Sequence, residues 1–282
     1  MVNSEQMHRC GEEIERRLRL QTFPVAIKLL RREEDIPEGA VRPKKALGYH
    51  LLLCQAFQIS RRMGITVAML KEDMWCFEPV IGYGLAEPPQ YFLDGYNRFP
   101  DDVETLEAGS NYAHEFPHLE TGKYIGVVSA PLMTVNFEPD VVMIYCNPAQ
   151  LTVLLLANEY KDGHSLTCTL SGHAACVYPI VAGVQNGKCQ VATPCRGDRC
   201  LAMAADDELI FTVPTEKIED LLSGLIGIEQ TAGSKLPVVR GIMLEPEVLP
   251  ESYMKIGRMV GLDTVSSRVG KTVGLDTISK QK

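Results

Sequence analysis

Val141-Val142-Met143-Ile144-Tyr145-Cys146-Asn147-Pro148 is the stretch whose reading decides the fold. Six apolar residues with no break read as a buried strand. Asn147 then offers an N-cap and Pro148 a first-turn proline, so a helix is expected over 149–159. Working outward, 124–131 reads as a second buried strand, joined to the first by a turn at Phe137–Asp140. Downstream come a strand at 165–170, a helix at 174–184, strands at 189–192 and 208–213, and a helix opened by Pro214 and running to Leu225. Upstream lie an amphipathic helix over 4–20, a strand at 23–30, a helix over 48–62 with Cys54 near its middle, and a short strand at 65–70. Such alternation predicts an α/β or interleaved α+β fold: a mixed sheet flanked by helices in one large domain over 1–250. Residues 251–282 read as an amphipathic tail, in which Val260–Ser266 (VGLDTVS) is echoed by Val273–Ser279 (VGLDTIS). Two copies are too few for a solenoid.

Composition sets bounds on function. The chain has 282 residues, 45% hydrophobic and 23% charged, with a net charge of −8. That acidity leaves no basic footprint for nucleic acid. Residues 1–19 mix Glu and Arg without an apolar core, so no signal peptide is expected. The longest apolar run, Leu151–Ala157, falls far short of the roughly 18 residues that read as a membrane-spanning helix. A cytoplasmic protein without a membrane partner is the expectation.

Several strings match motifs by letters only. Val25-Ala26-Ile27-Lys28 resembles the strand lysine of protein kinases, but no glycine-rich loop precedes it and no H-R-D or D-F-G follows. Lys28 reads instead as a solvent-facing lysine on an edge strand, with a pocket at a strand end as the alternative. His114-Glu115-Phe116-Pro117-His118 satisfies H-E-x-x-H, yet Pro117 breaks the helix that must align both histidines. Gly270-Lys271-Thr272 lacks the upstream glycine of a phosphate loop, since Val265 stands there.

The chemistry lies in nine cysteines. Cys10, Cys146, Cys168 and Cys189 sit on helix faces or in apolar strands and read as small hydrophobic filler; Cys200 reads either as filler or as a further ligand. Cys54, Cys76, Cys176 and Cys195 have turn-rich, charged or helix-start settings, as in Trp75-Cys76-Phe77-Glu78-Pro79 and Pro194-Cys195-Arg196-Gly197-Asp198-Arg199-Cys200. Thiolates are soft metal ligands, and helix N-termini favour their anionic form. No C-x-x-C pair is present, so the spacing matches neither a zinc ribbon nor a ferredoxin.

The chain also resembles the uncharacterised prokaryotic family catalogued as domain of unknown function 169, typical of archaea and anaerobic bacteria. The marks are Pro24-Val25-Ala26-Ile27-Lys28, the cysteines at 54 and 76 beside Trp75, and Ala130-Pro131-Leu132. Pro139-Asp140-Val141-Val142 before Asn147-Pro148, the cysteine at 176 and the Cys195-x-Gly-x-Arg199 turn complete them. The resemblance runs from residue 24 to about residue 244 and brings no settled activity. It implies that the same four cysteines recur, hence a shared metal site. Ligands scattered from position 54 to position 195 fit a [4Fe–4S] cluster better than zinc, which remains the alternative cofactor. Glu78, His173 and Arg199 are the candidate catalytic groups beside it. The expected role is a redox or cluster-dependent lyase-type activity in anaerobic metabolism, with a small-molecule substrate or a redox partner protein, and a homo-oligomer is compatible with it. The competing class is a zinc-binding or metal-free accessory protein without catalysis.

Overall fold

The alternation of strands and helices is present, but it builds a sheet of one kind. The computed structural model describes residues 4–229, 242–243, 251–261 and 272–273. Its strands β1 (Val25–Leu30), β2 (Val67–Leu70), β3 (Gly126–Pro131), β4 (Val141–Cys146), β5 (Gln190–Ala192) and β6 (Leu209–Pro214) form a six-stranded sheet ordered β2-β3-β1-β4-β6-β5. Every pairing is antiparallel, so the sheet is antiparallel throughout rather than mixed. β1 lies at its centre, with Val25 opposite Pro131 on one side and Met143 on the other. β3 and β4 therefore run the same way, and the segment between them is a crossover past β1, not a hairpin turn. Lys28 accordingly stands on a central strand, not an edge.

The helices are α1 (Ser4–Leu18), α2 (Pro43–Leu47), α3 (Leu53–Met63), α4 (Phe77–Gly82), α5 (Gln90–Leu93), α6 (Leu106–Glu115), α7 (Pro148–Glu159), α8 (Tyr178–Asn186), α9 (Arg196–Leu201), α10 (Ile218–Ile228) and α11 (Glu251–Met259). Strand side chains alternate between faces, and β4 shows the consequence. Val142, Ile144 and Cys146 pack with α1, α7 and α10, whereas Val141, Met143 and Tyr145 pack with α3, α4 and α8. Both faces are covered, so β4 is an unbroken apolar run although its sheet is antiparallel. On the first face α7 and α10 touch backbone to backbone: a Cβ on Gly224 would lie 2.1 Å from the Ala157 carbonyl oxygen.

Local signals explain where elements begin. The Asn147 side chain accepts from Gln150 N–H (2.9 Å) while Gln150 Oε1 accepts from Asn147 N–H (2.8 Å), a reciprocal cap that starts α7. The helix expected over 48–62 starts later, at Leu53 of α3: Gly48, at φ 75°, ends the upstream α2, and the chain runs extended between them. The helix expected from 174 starts at Tyr178, because Ala174 adopts φ 47°. Residues 165–170, expected as a strand, have no regular structure; the sheet position beside β6 is taken by β5.

The chain divides into two compact units, Met1–Leu236 and Pro237–Lys282. In the second, Ile242–Met243 pairs antiparallel with Thr272–Val273, and α11 is its helix. Residues 262–266 and 274–279 of the VGLDT echo lie outside the described residues. Among the described residues no helix is long and apolar enough to cross a membrane.

Candidate functional site

Each of the four singled-out cysteines stands at the N-terminal end of a helix. Cys54 is the second residue of α3, Cys76 precedes α4, Cys195 precedes α9, and Cys176 lies two residues before α8. Cys54 is thus in a first turn, where backbone N–H groups lack intrahelical acceptors, and not in mid-helix. The fold brings the four together. Cys54 and Cys76 pack with Leu52 and Ala202, while Cys176 and Cys195 adjoin the core on the same face of the sheet. Burial pushes the Cys176 thiol far up, and Cys54, Cys76 and Cys195 each push it further. The Cys54 thiol is likewise raised, first by burial and then by Asp198, Cys195 and Cys76. Burial, with Glu78 next, raises Cys76 to about 12, and burial, with Asp198 next, raises Cys195 to about 11.

Gly197 lies against two of these sulfurs. A Cβ there would lie 3.6 Å from Cys195 Sγ, 3.8 Å from Cys54 Sγ and 3.9 Å from Leu52 Cδ1. The two sulfurs are therefore no farther apart than the sum of the first two distances. Those contacts are ordinary ones, so an alanine fits, but its methyl group would lie against both thiols.

Behind Cys195 runs a buried polar chain that sequence reasoning missed. Asp198, fully buried, accepts from Cys195 N–H (3.2 Å), from the Cys195 thiol (3.1 Å) and from Tyr145 O–H (3.2 Å). The Arg61 guanidinium stacks 3.8 Å from the Tyr145 ring centre and donates to both Glu208 carboxylate oxygens at 2.6 and 2.7 Å. Its Nε donates to Gln58 Oε1 at 2.8 Å. Nothing in local sequence pairs residues 61, 145, 198 and 208; only the tertiary fold does.

Glu78 and His173 join a second network, on the Cys76 side. Cys76 Sγ donates to Glu78 Oε2 at 3.9 Å, and the other carboxylate oxygen accepts from Arg98 and from Tyr112 O–H. Arg98 donates also to Tyr112 Oη (2.8 Å) and Asp102 (3.0 Å), and Asp102 accepts from Arg196 (2.9 Å). The His173 ring meets the Tyr112 ring edge-on, 5.4 Å between centres. Burial and then the Arg98 charge hold His173 below its usual value. Arg199 is not part of this network: it donates to the Ala205 carbonyl (2.7 Å) and stands 3.7 Å from Asp206.

The model of the family described as Uncharacterised ArCR, DUF169, matches residues 13–224. The chain belongs to the DUF169 family. The matched span holds all six sheet strands and all seven residues proposed for the site. An uncharacterised protein of Methanocaldococcus jannaschii, MJ0308, is 26% identical to this DUF169 chain over 208 residues, covering 71% of it and 85% of the relative. No solved structure matches.

The remaining cysteines of this DUF169 member divide clearly. Cys10, Cys146 and Cys189 lie in the core on the opposite face of the sheet. Cys168 is half-buried in the irregular segment before α8, and Cys200 is exposed. The H-E-x-x-H string is split: α6 ends at Glu115, so His118 lies beyond the helix that carries His114. Lys28 lines a cleft of about 610 Å³ with Arg31, Glu138 and Asp140, away from the cysteines. As a donor set, four thiols from four chain segments, Cys54 and Cys176 buried and Cys76 and Cys195 half-buried, suit either an iron–sulfur cluster or zinc. Among the described residues no group of three or more His, Cys, Asp or Glu side chains is arranged to hold a single metal ion.

Proposed function

We propose that the chain is a cytoplasmic iron–sulfur protein that holds a [4Fe–4S] cluster on Cys54, Cys76, Cys176 and Cys195 and serves a redox enzyme activity in anaerobic metabolism. The observation that carries this reading is that Cys54 and Cys195 both lie against Gly197, with Cys76 and Cys176 near enough to bear on the same thiols, each of the four at a helix N-terminus. Buried thiols that raise one another's pKa are costly to ionise without a cation between them, and binding metal releases their protons. Helix N-termini lower that cost by pointing N–H groups toward the anions.

The dispersal of the ligands along the chain, from position 54 to position 195, supports a cluster over zinc. Structural zinc usually takes two of its ligands from within a few residues of each other. The cluster supplies a one-electron centre, and engagement of all four sulfurs leaves no iron open to substrate. The chain's own groups then shape the surroundings. Asp198 and Tyr145 orient Cys195, and Glu78, fixed by Arg98 and Tyr112, borders Cys76, with His173 packed edge-on against Tyr112. That polar edge is where a small-molecule substrate would meet the centre. All nine cysteines are free, in keeping with a reducing compartment.

The test is anaerobic purification followed by iron, acid-labile sulfide and zinc analysis. About four irons and four sulfides per chain are expected for a [4Fe–4S] centre ligated by four cysteines. One zinc without sulfide, or no metal, defeats the reading.

A further inference from the structure

Next to the cysteines lies a surface that the proposed centre does not account for. Trp75 and Phe77, the neighbours of Cys76 on either side, are 56% and 46% exposed. Leu47 and Tyr49 are exposed as well, and the run 44–50 is exposed at every residue. This run is tied to the Trp75 segment: Leu51 N–H donates to the Asp73 carbonyl (2.9 Å) and Trp75 N–H to the Leu51 carbonyl (3.3 Å). A large indole and phenyl ring left in water beside the half-buried Cys76 are the kind of anchor that protein interfaces use.

The charge on this surface is net positive. Arg42 pairs with Asp73 at 2.6 Å and with the exposed Glu72 at 2.7 Å, a trio that retains one negative charge, and Glu78 is bound by Arg98. Lys44, Lys45 and Lys71 are exposed and make no ion pair among the described residues. Set against that one negative charge, the three lysines leave the segments on either side of Trp75 net positive on a chain whose net charge is −8. Complementarity calls for an acidic partner, and a lipid surface offers nothing with which the adjacent cysteines exchange electrons.

We propose that the Trp75–Phe77 surface framed by Lys44, Lys45 and Lys71 is the docking site of a small acidic electron-carrier protein. The proposal rests on the iron–sulfur reading of Cys54, Cys76, Cys176 and Cys195 and adds the partner of that site. In each encounter the reduced carrier loses one electron and the cysteine-held centre gains one; no bond or proton need change.

The probe is an acidic [2Fe–2S] ferredoxin, titrated calorimetrically at low and high salt against the full chain, with and without metal. Binding that weakens with salt is expected. The K44E/K45E/K71E variant should lose about tenfold or more in affinity, as charge reversal at a steering surface does, and reduction by the ferredoxin should slow in step. W75A should weaken binding while retaining salt dependence, and both variants should keep the wild-type iron content and melting temperature. Absence of binding by the wild type, equal binding by the charge-reversed variant, or preferential co-sedimentation of the chain with anionic phosphatidylserine vesicles overturns the proposal. Protein that purifies anaerobically without iron or sulfide, yet binds the ferredoxin through these lysines, would sink the iron–sulfur reading and leave the docking site standing.

Discussion

The two faces of one sheet are built on different principles. Toward α1, α7 and α10 the interior is aliphatic and close-packed, and its three cysteines, Cys10, Cys146 and Cys189, are raised chiefly by burial alone. Toward α3, α4 and α8 the interior contains a buried arginine, a buried aspartate and four thiols that raise one another. Gln58 Nε2, Arg98 Nε and Thr212 Oγ1, on this second side, are buried without a hydrogen-bond partner among the described residues. Satisfied apolar packing holds a fold together, whereas exceptions to it collect where a molecule does its chemistry. β4 carries both: Cys146 points to the first face and Tyr145, one residue away, to the second.

The sharpest break of that contrast is at Arg61. R61A should cost about 3–5 kcal/mol of stability in urea unfolding, since Glu208 and Asp198 lose the buried cation they face. A result below about 1 kcal/mol would show the polar chain to be incidental. On the aliphatic face G224A should cost about 1–3 kcal/mol or more by overpacking against Ala157, with iron per folded chain unchanged. G197A sharpens the contrast from the other side. Its new methyl makes only ordinary contacts, so the melting temperature should stay near wild type while iron content falls. Full iron loading of G197A would show that the space beside Cys54 and Cys195 is not where the cluster sits.

The smallest effect is in pH. Burial tends to raise Glu208, but its bonds to Arg61 and Ala205 N–H outweigh this and leave its pKa below the ordinary 4.5. A lowered carboxyl stabilises the fold above its unfolded value, and that contribution is lost as pH falls through the folded one. E208Q should therefore be less stable than wild type at neutral pH, with the gap closing below about pH 4. A gap that stays constant with pH would mean the Arg61 pair does not titrate with folding.

Much of this contrast can be read along the chain. The β4–α7 junction is legible because Asn147 and Pro148 are local signals, and the four cysteines differ from the rest by their turn-rich settings. Strand order is not legible: β1 slips between β3 and β4 by a long-range pairing that no neighbouring residue announces. For the same reason the sheet reads as mixed in sequence yet is antiparallel, and Lys28 reads as an edge residue yet is central. Residues 165–170 have strand-like alternation, but β5 holds the available edge. Asp198 was adjacent in sequence to every clue, and only Tyr145 and Arg61, brought in by the fold, show why it is buried. Arg199 carried the same local promise and turns to Ala205 instead.

The most direct test of the account is the iron and acid-labile sulfide content of C176S measured beside that of C146S, both purified without oxygen. The two thiols are similarly buried, on opposite faces of the sheet. The account predicts that C176S loses most of its iron and sulfide while C146S retains the wild-type content. Equal content in the two variants would contradict it.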